Sequence, residues 1–207
     1  LKRIAVDCQI RGAASATAVA FDARKPAKFV SLIEETATSG GNLNAAVFIG
    51  SMPGQSEIDA DTGLIDGVVQ DSFTGAIRFL HLLAPHLEER ESGTVVGVGS
   101  VAGDRGRVGN YVYGAAKAGF HTYLSGLRNR LARSGVHVVT VKPGFVDSSM
   151  TWGVEGMFLV ASPEDVAESL MKAVRKKKNV VYTPWFWRYI MLIITHIPEF
   201  IFKKLSI

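Results

Sequence analysis

The sequence predicts an α/β fold, a doubly wound parallel sheet with helices on both faces. Short apolar runs of strand length alternate with longer stretches of helical character along the chain. A helix start at Ser162 is especially clear, because Ser162 can cap the helix, Pro163 suits its first turn and two acids follow. With 207 residues, 47% of them hydrophobic, the chain can build one such domain around its own core.

The apolar runs give an ordered set of elements. Buried strands are expected at 17–21, 44–49, 94–98, 137–141 and 180–182. Helices are expected at 1–9, 26–38, 64–90, 111–133 and 162–177, with a polar loop at 50–63 and a kink or interruption near Pro85. Ligands of such sheets bind beyond the carboxyl ends of the strands. We therefore expect Asp22, Gly50, Ser100 and Pro143 to converge at that edge.

The residues with the clearest chemistry lie between Ser100 and Lys117. Tyr113 and Lys117 are four residues apart on an expected helix, so their side chains share one face. A cation that close favours tyrosinate and lowers the phenol pKa from roughly 10 towards the range of a general acid or base. Such a tyrosine can protonate a carbonyl oxygen while Ser100 holds the same oxygen. The pair alone is a weak signal, but a strand ending in serine precedes it and a strand ending in Pro143-Gly144 follows.

In this order of elements the chain resembles the short-chain dehydrogenase/reductases, whose pattern is a strand ending in Ser, then Tyr-x-x-x-Lys, then a strand ending in Pro-Gly. The resemblance covers essentially the whole chain. It implies a Rossmann-type sheet and an NAD(P)-dependent enzyme that reduces a ketone or oxidises a secondary alcohol. It also implies that Tyr113 donates the proton, that Ser100 binds the substrate oxygen, and that Lys117 tunes Tyr113 and binds the nicotinamide ribose.

The resemblance implies further residues around NADP(H) or NAD(H). Pro143, Gly144 and the hydroxyl of Ser148 would line the nicotinamide, and the backbone at Gly50 would approach the cofactor. Asp22, which closes the first expected strand, matches the family's adenine-contacting aspartate. A plain turn residue at the end of a strand is the alternative interpretation of Asp22.

A glycine-rich phosphate loop is not found in this sequence. The chain begins at Leu1 and has no Gly-x-x-x-Gly-x-Gly turn between a strand and a helix, the turn that holds a dinucleotide pyrophosphate. Residues 1–9 resemble the end of the helix that follows the family's second strand. We expect that an N-terminal βαβ unit of roughly forty residues is missing from the sequence. That unit would carry the residue that selects NAD or NADP.

Two positions depart from the family pattern. Where the family has Asn-Asn-Ala-Gly after its fourth strand, residues 48–51 read Phe-Ile-Gly-Ser, so only the glycine is kept. Ser72 falls where the family has a helical asparagine that anchors a water in a proton relay, and a hydroxyl can hold that water instead. A degenerate member that binds a partner or membrane without catalysis is therefore the alternative from a different class. The intact Ser100, Tyr113 and Lys117 argue against it.

The stretch 102–113 and the C-terminal tail resemble one branch, the decaprenylphosphoryl-2-keto-ribose reductases. Members of this branch reduce a keto-sugar carried on a polyprenyl phosphate. Under this resemblance Arg105 and Arg107 are candidate ligands of the lipid phosphate, with a solvated loop as the alternative. Trp152 and residues 157–160 would form a substrate lid, although packing would explain them equally well. A reductase of another lipid-like ketone, such as a long-chain 3-keto compound, is the alternative substrate class.

Composition argues against several other classes of function. The net charge of +4 and the pI of about 9.2 are only modestly basic, and the one basic run, 175–178, is too short for a nucleic-acid stripe. A single cysteine, Cys8, cannot form an intrachain disulfide and fits a reducing, cytoplasmic setting. No metal is expected, because the histidines lack metal-ligand spacing; they are His81, His86, His121, His137 and His196.

The tail at 185–207 is set apart from the single domain expected over 1–184. It combines aromatic residues, an apolar run and cations, but it is too short and interrupted to span a bilayer. Such a segment suits the membrane interface, and packing on its own domain or a partner subunit is the alternative. The family further implies a homodimer or homotetramer formed through the helices at 64–90 and 111–133.

Overall fold

A computed structural model describes residues 1–38, 41–152 and 157–205 of the chain. Its centre is a parallel sheet with the strand order β1-β2-β3-β4. The strands are Asn44–Val47 (β1), Thr94–Val98 (β2), His137–Pro143 (β3) and Val180–Thr183 (β4). β2 and β3 are rich in valine because central strands of a covered parallel sheet are buried on both faces.

Helices cover both faces of the sheet, as predicted. On one face Val95 and Val138 pack against Phe29, Leu80 and Phe120. These three side chains belong to the helices α2 (Phe29–Thr38), α5 (Gly75–Arg90) and α6 (Tyr111–Leu131). On the other face, valines of β2 and β3 pack against the helix α7 (Pro163–Arg175), whose first turn is capped by the hydroxyl of Ser162. The doubly wound parallel architecture is therefore confirmed.

The C-terminal tail forms two helices that close one end of the sheet. They are α8 (Trp187–His196) and α9 (Glu199–Phe202). Trp187 and Met191 on α8 are each only 1% exposed and pack with Val101, which follows β2. One face of the tail is thus part of the core, as in the packing alternative. No helix in the described part of the chain is long and apolar enough to cross a membrane.

The strand expected at 17–21 is absent, and this prediction is wrong. The segment is mostly exposed and makes no strand pairing among the described residues. β1 is the outermost strand of the described sheet, and 17–21 does not pair with its open edge, so the segment lacks the ladder that a strand needs. Phe21 anchors the segment instead, by packing its ring against Phe29 and Phe79.

The region between β1 and β2 also differs from the prediction. The expected loop at 50–63 contains a helix, α3 (Gln55–Ala60). The long helix is divided into α4 (Gly63–Val69) and α5 by a π turn at Gln70–Thr74. Pro85 does not interrupt α5, because it lies on the exposed face, where water can satisfy the carbonyl that proline leaves without a partner. The remaining helix, α1 (Lys2–Ile10), buries none of its residues.

Candidate active site

Ser100 stands at the carboxyl end of β2, as predicted. The backbone of Gly99 continues the ladder by donating to the carbonyl of Val141 at 2.8 Å. The Ser100 hydroxyl oxygen accepts a hydrogen bond from the backbone N–H of Ala102 at 3.1 Å, which caps the 3₁₀ turn Val101–Gly103. The same side chain is close enough to the Tyr113 hydroxyl to lower the pKa of the phenol. A strand end and a capped turn thus hold Ser100 beside Tyr113.

Tyr113 lies in the first turn of α6, and only 6% of its surface is exposed. Burial raises the pKa of Tyr113 to about 12, which the hydrogen bond with Ser100 offsets only in part. This direction is opposite to the expected lowering by Lys117. The ammonium of Lys117 lies 5.8 Å from the centre of the Tyr113 ring and is bonded elsewhere, so desolvation of the phenol dominates. The phenol therefore keeps its proton at neutral pH.

Lys117 is 3% exposed and lies between the ends of two strands. Its Nζ donates to the carbonyl oxygens of Ile49, after β1, and Val98, at the end of β2, both at 3.1 Å. Burial lowers the pKa of Lys117 to about 8, so its amine titrates close to neutral pH. The helical spacing from Tyr113 brings both side chains to the same edge of the sheet.

Gly50 borders the Lys117 amine in a narrow space. A methyl group at Gly50 would lie 3.3 Å from Lys117 Nζ and 3.2 Å from Ser72 Oγ. Ser72 is fully buried in the π turn, and its hydroxyl accepts from the backbone N–H of Ser51 and donates to the Ser51 carbonyl, both at 3.2 Å. The Ser72 hydroxyl therefore ties the loop after β1 to the start of α5.

A buried polar cluster behind Ser100 was not predicted from the sequence. His121 Nε2 accepts a hydrogen bond from the Ser100 backbone N–H at 3.3 Å, and His121 Nδ1 lies 3.5 Å from Asp104 Oδ1. Asp104 also accepts from Lys142 Nζ at 2.5 Å and from the Tyr182 hydroxyl at 2.7 Å. The available signal was the spacing from Lys117 to His121, which puts His121 one helical turn further along the same face.

Comparison with known proteins agrees with this geometry. The family model for the short chain dehydrogenases matches residues 1–157. The chain belongs to that family. It is 32% identical over 186 residues to an uncharacterized oxidoreductase of Mycobacterium tuberculosis, which covers 89% of the chain and 75% of the relative. A ketoacyl reductase of a Nostoc species is 28% identical over 177 residues, or 80% of the chain and 60% of the relative.

Solved structures show the same fold. A short-chain dehydrogenase of Sphingobium yanoikuyae in complex with NADPH superposes with a TM-score of 0.77 at 19% identity, covering 96% of the chain and 83% of that structure. As a short chain dehydrogenase, the chain is an oxidoreductase.

Arg105 of this dehydrogenase lies outside the site and binds the tail. Its Nη1 donates to the backbone carbonyls of Ile194 and Ile197 at 2.8 and 2.7 Å, and its Nη2 donates to Glu199 Oε2 at 2.8 Å. Its guanidinium also stacks on the ring of Phe202, 3.7 Å from the centroid. Arg105 therefore caps the carboxyl end of α8 and does not act as the expected phosphate ligand, because these contacts occupy both terminal nitrogens of its guanidinium.

Arg107 and Asn110 present unused hydrogen-bonding atoms instead. Within the described residues, Arg107 Nε and Asn110 Oδ1 are buried and make no hydrogen bond. Burial lowers the pKa of Arg107, and the nearby Asp104 only partly opposes this. Asn110 directly precedes α6, on which Tyr113 lies. Among the two arginines predicted from the sequence, Arg107 is thus the one with spare donor capacity beside the dehydrogenase site.

The Pro-Gly turn after β3 contacts the tail of the dehydrogenase. Pro143 ends the strand, and Gly144 N–H donates to the Thr183 carbonyl at 3.0 Å. A methyl group at Gly144 would collide with the indole Nε1 of Trp187. One reason for a glycine here is therefore the close approach of Trp187.

The segment after the Pro-Gly turn is only partly described. Ser148 is half-buried, and its backbone N–H donates to the Thr151 hydroxyl at 3.2 Å. Trp152 is 75% exposed, so its side chain does not cover the site as a lid would. Within the expected lid at 157–160, Phe158 packs its ring against Phe145 and Trp187. Residues 153–156, between the two halves of that lid, lie outside the described residues.

Asp22 lies in an exposed turn rather than at a strand end. Its carboxylate accepts a hydrogen bond from the Arg24 backbone N–H at 2.9 Å, a pattern typical of an Asx turn. The Arg24 side chain makes a two-point ion pair with Asp71 at 2.7 and 2.6 Å, next to Ser72. This ion pair connects the Asx turn at Asp22 to the π turn that contains Asp71 and Ser72, and Ser72 borders Gly50.

Proposed function

We propose that this dehydrogenase reduces a ketone to a secondary alcohol with NADP(H) or NAD(H), and that Tyr113 donates the proton. The Ser100 and Tyr113 hydroxyls, which lie close enough for Ser100 to lower the pKa of the phenol, carry this proposal. A phenol whose pKa is raised to about 12 stays protonated at neutral pH, and a protonated phenol is the form that can donate. Its burial therefore favours the reductive direction.

The residues present fit a nicotinamide cofactor. Gly50 presents backbone without a side chain next to the Lys117 amine, which would lie 3.3 Å from a methyl group placed at Gly50. We propose that Lys117 binds the ribose hydroxyls there, that Pro143, Gly144 and Ser148 line the nicotinamide, and that Asp22 contacts the adenine. The NADPH complex of the related solved structure supports the choice of cofactor.

When bound, the cofactor supplies a hydride to the carbonyl carbon of the substrate. In the proposed mechanism the Ser100 hydroxyl donates a hydrogen bond to the carbonyl oxygen and orients it. Tyr113 transfers its hydroxyl proton to the same oxygen, so that the ketone gains one hydride and one proton. The Lys117 ammonium, 5.8 Å from the centre of the phenol ring, attracts the tyrosinate that remains, although less strongly than burial disfavours it. Low exposure of Tyr113 and Lys117 keeps water away from the transfer.

Binding of the cofactor should depend on the Lys117 amine. We expect Lys117→Met to weaken NADPH binding by the full-length protein about tenfold, because hydrogen bonds to a charged group are lost while the buried stem is kept. Calorimetric titration with NADPH and NADH measures this effect. Lys176→Met, at an exposed site, is the control and should bind like the wild type. Equal affinities of the two variants would contradict the assignment.

We further propose that the substrate is a lipid-like ketone with a polar or anionic head, for which a polyprenyl-phosphate keto-sugar is the specific candidate. The unpartnered atoms of Arg107 and Asn110 support a polar head that binds next to Tyr113. The similarity to a ketoacyl reductase supports the alternative, a long-chain 3-keto compound.

We also propose a homodimer or homotetramer formed through α5 and α6, supported by the 37% exposure of Leu82 on α5.

A lipid-like substrate agrees with a proposed docking of the tail on an anionic membrane surface. The outer face of the tail is apolar and exposed: Trp185 is 71%, Tyr189 58% and Ile193 68% exposed. Cations outnumber carboxylates beside this face. Trp185 lines one groove with Lys172 and Arg175, which Asp165 and Glu168 also line, and a neighbouring groove with Arg188 and Tyr189. Lys178 lines both grooves. Aromatic side chains beside a basic rim match the headgroup region of an anionic bilayer.

Vesicle binding tests this docking. The protein should co-sediment with phosphatidylcholine vesicles that contain phosphatidylglycerol, less so as salt increases. The double variant Lys172→Glu/Lys178→Glu should reduce partitioning by at least about tenfold, since each basic residue near such a surface contributes about 1 kcal/mol. Lys25→Glu/Lys28→Glu, with the same change of charge just before α2, is the control. Absence of co-sedimentation would overturn the proposal, as would a change of oligomeric state in Trp185→Ser without any vesicle binding.

A further inference from the structure

The buried His121–Asp104 pair has a direct connection to the proposed catalytic serine. His121 Nε2 accepts the Ser100 backbone N–H at 3.3 Å, and Nδ1 faces Asp104 Oδ1 at 3.5 Å. The side chains of His121 and Asp104 are only 11% and 8% exposed. A hydrogen bond to the Ser100 N–H fixes the backbone at this residue. The Cα–Cβ bond, which carries Oγ, projects from that backbone, so the position of the hydroxyl depends on it.

Two glycines seat the imidazole ring on either side of Ser100. A methyl group at Gly99 would collide with His121 Nε2, and one at Gly103 would lie 2.8 Å from His121 Cε1. The ring therefore fills the space left by the absent side chains. Since the ring is enclosed in this way, it has little room to rotate away from Ser100.

The hydrogen bonds determine which ring nitrogen carries the proton. Because Nε2 accepts from Ser100, the proton of the neutral ring belongs on Nδ1, where it can be donated to Asp104. Asp104 remains ionised: burial would raise its pKa, but hydrogen bonds from His121, Lys142 and Tyr182 outweigh it and lower the pKa to about 2. The carboxylate thus favours the tautomer that leaves Nε2 free to accept.

Burial and two nearby cations keep the His121 ring neutral. Burial, the largest cause, lowers the pKa of His121 below its ordinary value of 6.5, and the cations Lys142 and Lys117 act in the same direction. Asp104 opposes them but does not reverse the shift. Tyr182 donates its hydroxyl to Asp104, and its ring centre lies 5.3 Å from Lys142 Nζ. His121 is therefore neutral at pH 7, and its protonation requires more acidic conditions than that of an ordinary histidine.

We propose that His121, oriented by Asp104, is a positioning residue that holds the backbone of Ser100 in the geometry needed to bind the substrate oxygen. Protonation of His121 would place an N–H group against the Ser100 N–H, which removes the hydrogen bond and displaces the serine. The inference rests on the proposed function in that Ser100 is taken to bind the substrate oxygen. It predicts that acid inactivation of the enzyme follows the titration of His121.

The tautomer can be measured without any substrate. In ¹⁵N-histidine-labelled full-length protein, NMR should show His121 protonated at Nδ1 and unprotonated at Nε2 at pH 7, and its titration midpoint should lie below pH 6.5. Asp104→Asn should increase the population protonated at Nε2. A ring protonated at Nε2 in the wild type, or a midpoint at or above the ordinary value, would overturn the assignment whatever the enzyme does.

Activity then tests the positioning role. With NADPH and phenanthrenequinone as the carbonyl probe, His121→Phe should lower kcat about 10- to 100-fold and leave the affinity for NADPH unchanged, since misplacement of a binding group has effects of that size. His121→Gln, whose amide oxygen can still accept from Ser100, should recover most of kcat and lose the acidic limb of the pH profile. Far-ultraviolet circular dichroism checks that both variants fold.

The control for these variants is His81→Gln, on the exposed side of α5, which should keep the wild-type rate and pH profile. If His121→Gln keeps the acidic limb, or if His121→Phe retains the wild-type kcat, the positioning role is overturned. Failure of the wild type to oxidise NADPH with the probe would contradict the proposed function and the catalytic part of this inference. The NMR result would then still decide the hydrogen bonds of His121.

Discussion

Tyr113→Phe should lower kcat for carbonyl reduction by about 10²- to 10⁴-fold, the range by which a positioned general acid accelerates a reaction. The substitution removes only the hydroxyl, so the aromatic ring still fills its buried place at the start of α6. The Lys117 amine keeps its bonds to the carbonyls of Ile49 and Val98. We therefore expect NADPH affinity to stay within about twofold of the wild type, since no group proposed to bind the cofactor is lost other than the phenol. Steady-state kinetics with a calorimetric titration separate these two effects.

Tyr111→Phe is the matched control on the same helix. Tyr111 is 47% exposed and donates its hydroxyl to Asp59 rather than to Ser100. Its loss should leave kcat close to the wild-type value. If Tyr113→Phe turned over as fast as Tyr111→Phe, the proposed proton donor would be wrong, and the geometry around Ser100 would need another explanation.

Trp187→Ala should lower the free energy of unfolding by about 3–5 kcal/mol, the range for removing a large aromatic side chain from a core. Trp187 is 1% exposed and packs on Phe145 and Phe158, with its indole against Gly144. The substitution removes the largest side chain that joins the tail to the domain. Urea denaturation followed by circular dichroism measures the change.

Trp185→Ala supplies the comparison two residues earlier. Trp185 is 71% exposed and lies on the outer face of the tail. Its removal should change the stability by no more than about 0.5 kcal/mol, because little buried surface is lost. A similar destabilisation by both substitutions would mean that the tail does not pack on the domain through Trp187 in solution.

The central elements could be predicted because their signals are local. The valine runs at 94–98 and 137–141, the capped helix at Ser162 and the spacing of Tyr113 and Lys117 each depend on residues that are near one another in sequence. The apolar run at 17–21 meets the same local criterion, yet it forms no strand. It failed because a strand also needs a neighbouring edge, and composition within five residues carries no information about that edge.

The candidate site shows the same contrast between features that depend on nearby residues in sequence and features that depend on the folded chain. The approach of Ser100 to Tyr113 could be inferred from the order strand, serine, helix. The pKa of Tyr113 could not, because its direction depends on how deeply α6 buries the phenol and on where Lys117 directs its amine. Arg105 likewise looked available for an anion, and only the folded tail occupies its guanidinium.

The sequence alone was enough to predict the alternation of strands and helices, the spacing of the proposed catalytic residues and the apolar character of the tail. These properties depend on the periodicity of apolar residues and on short spacings in sequence, which do not depend on how the elements pack together. Tertiary structure decided what lies behind Ser100, where residues from α6, the loop after β2, β3 and β4 meet as His121, Asp104, Lys142 and Tyr182. Hydrogen bonds and desolvation act over a few ångströms, and residues up to 78 positions apart come that close only when the sheet is assembled.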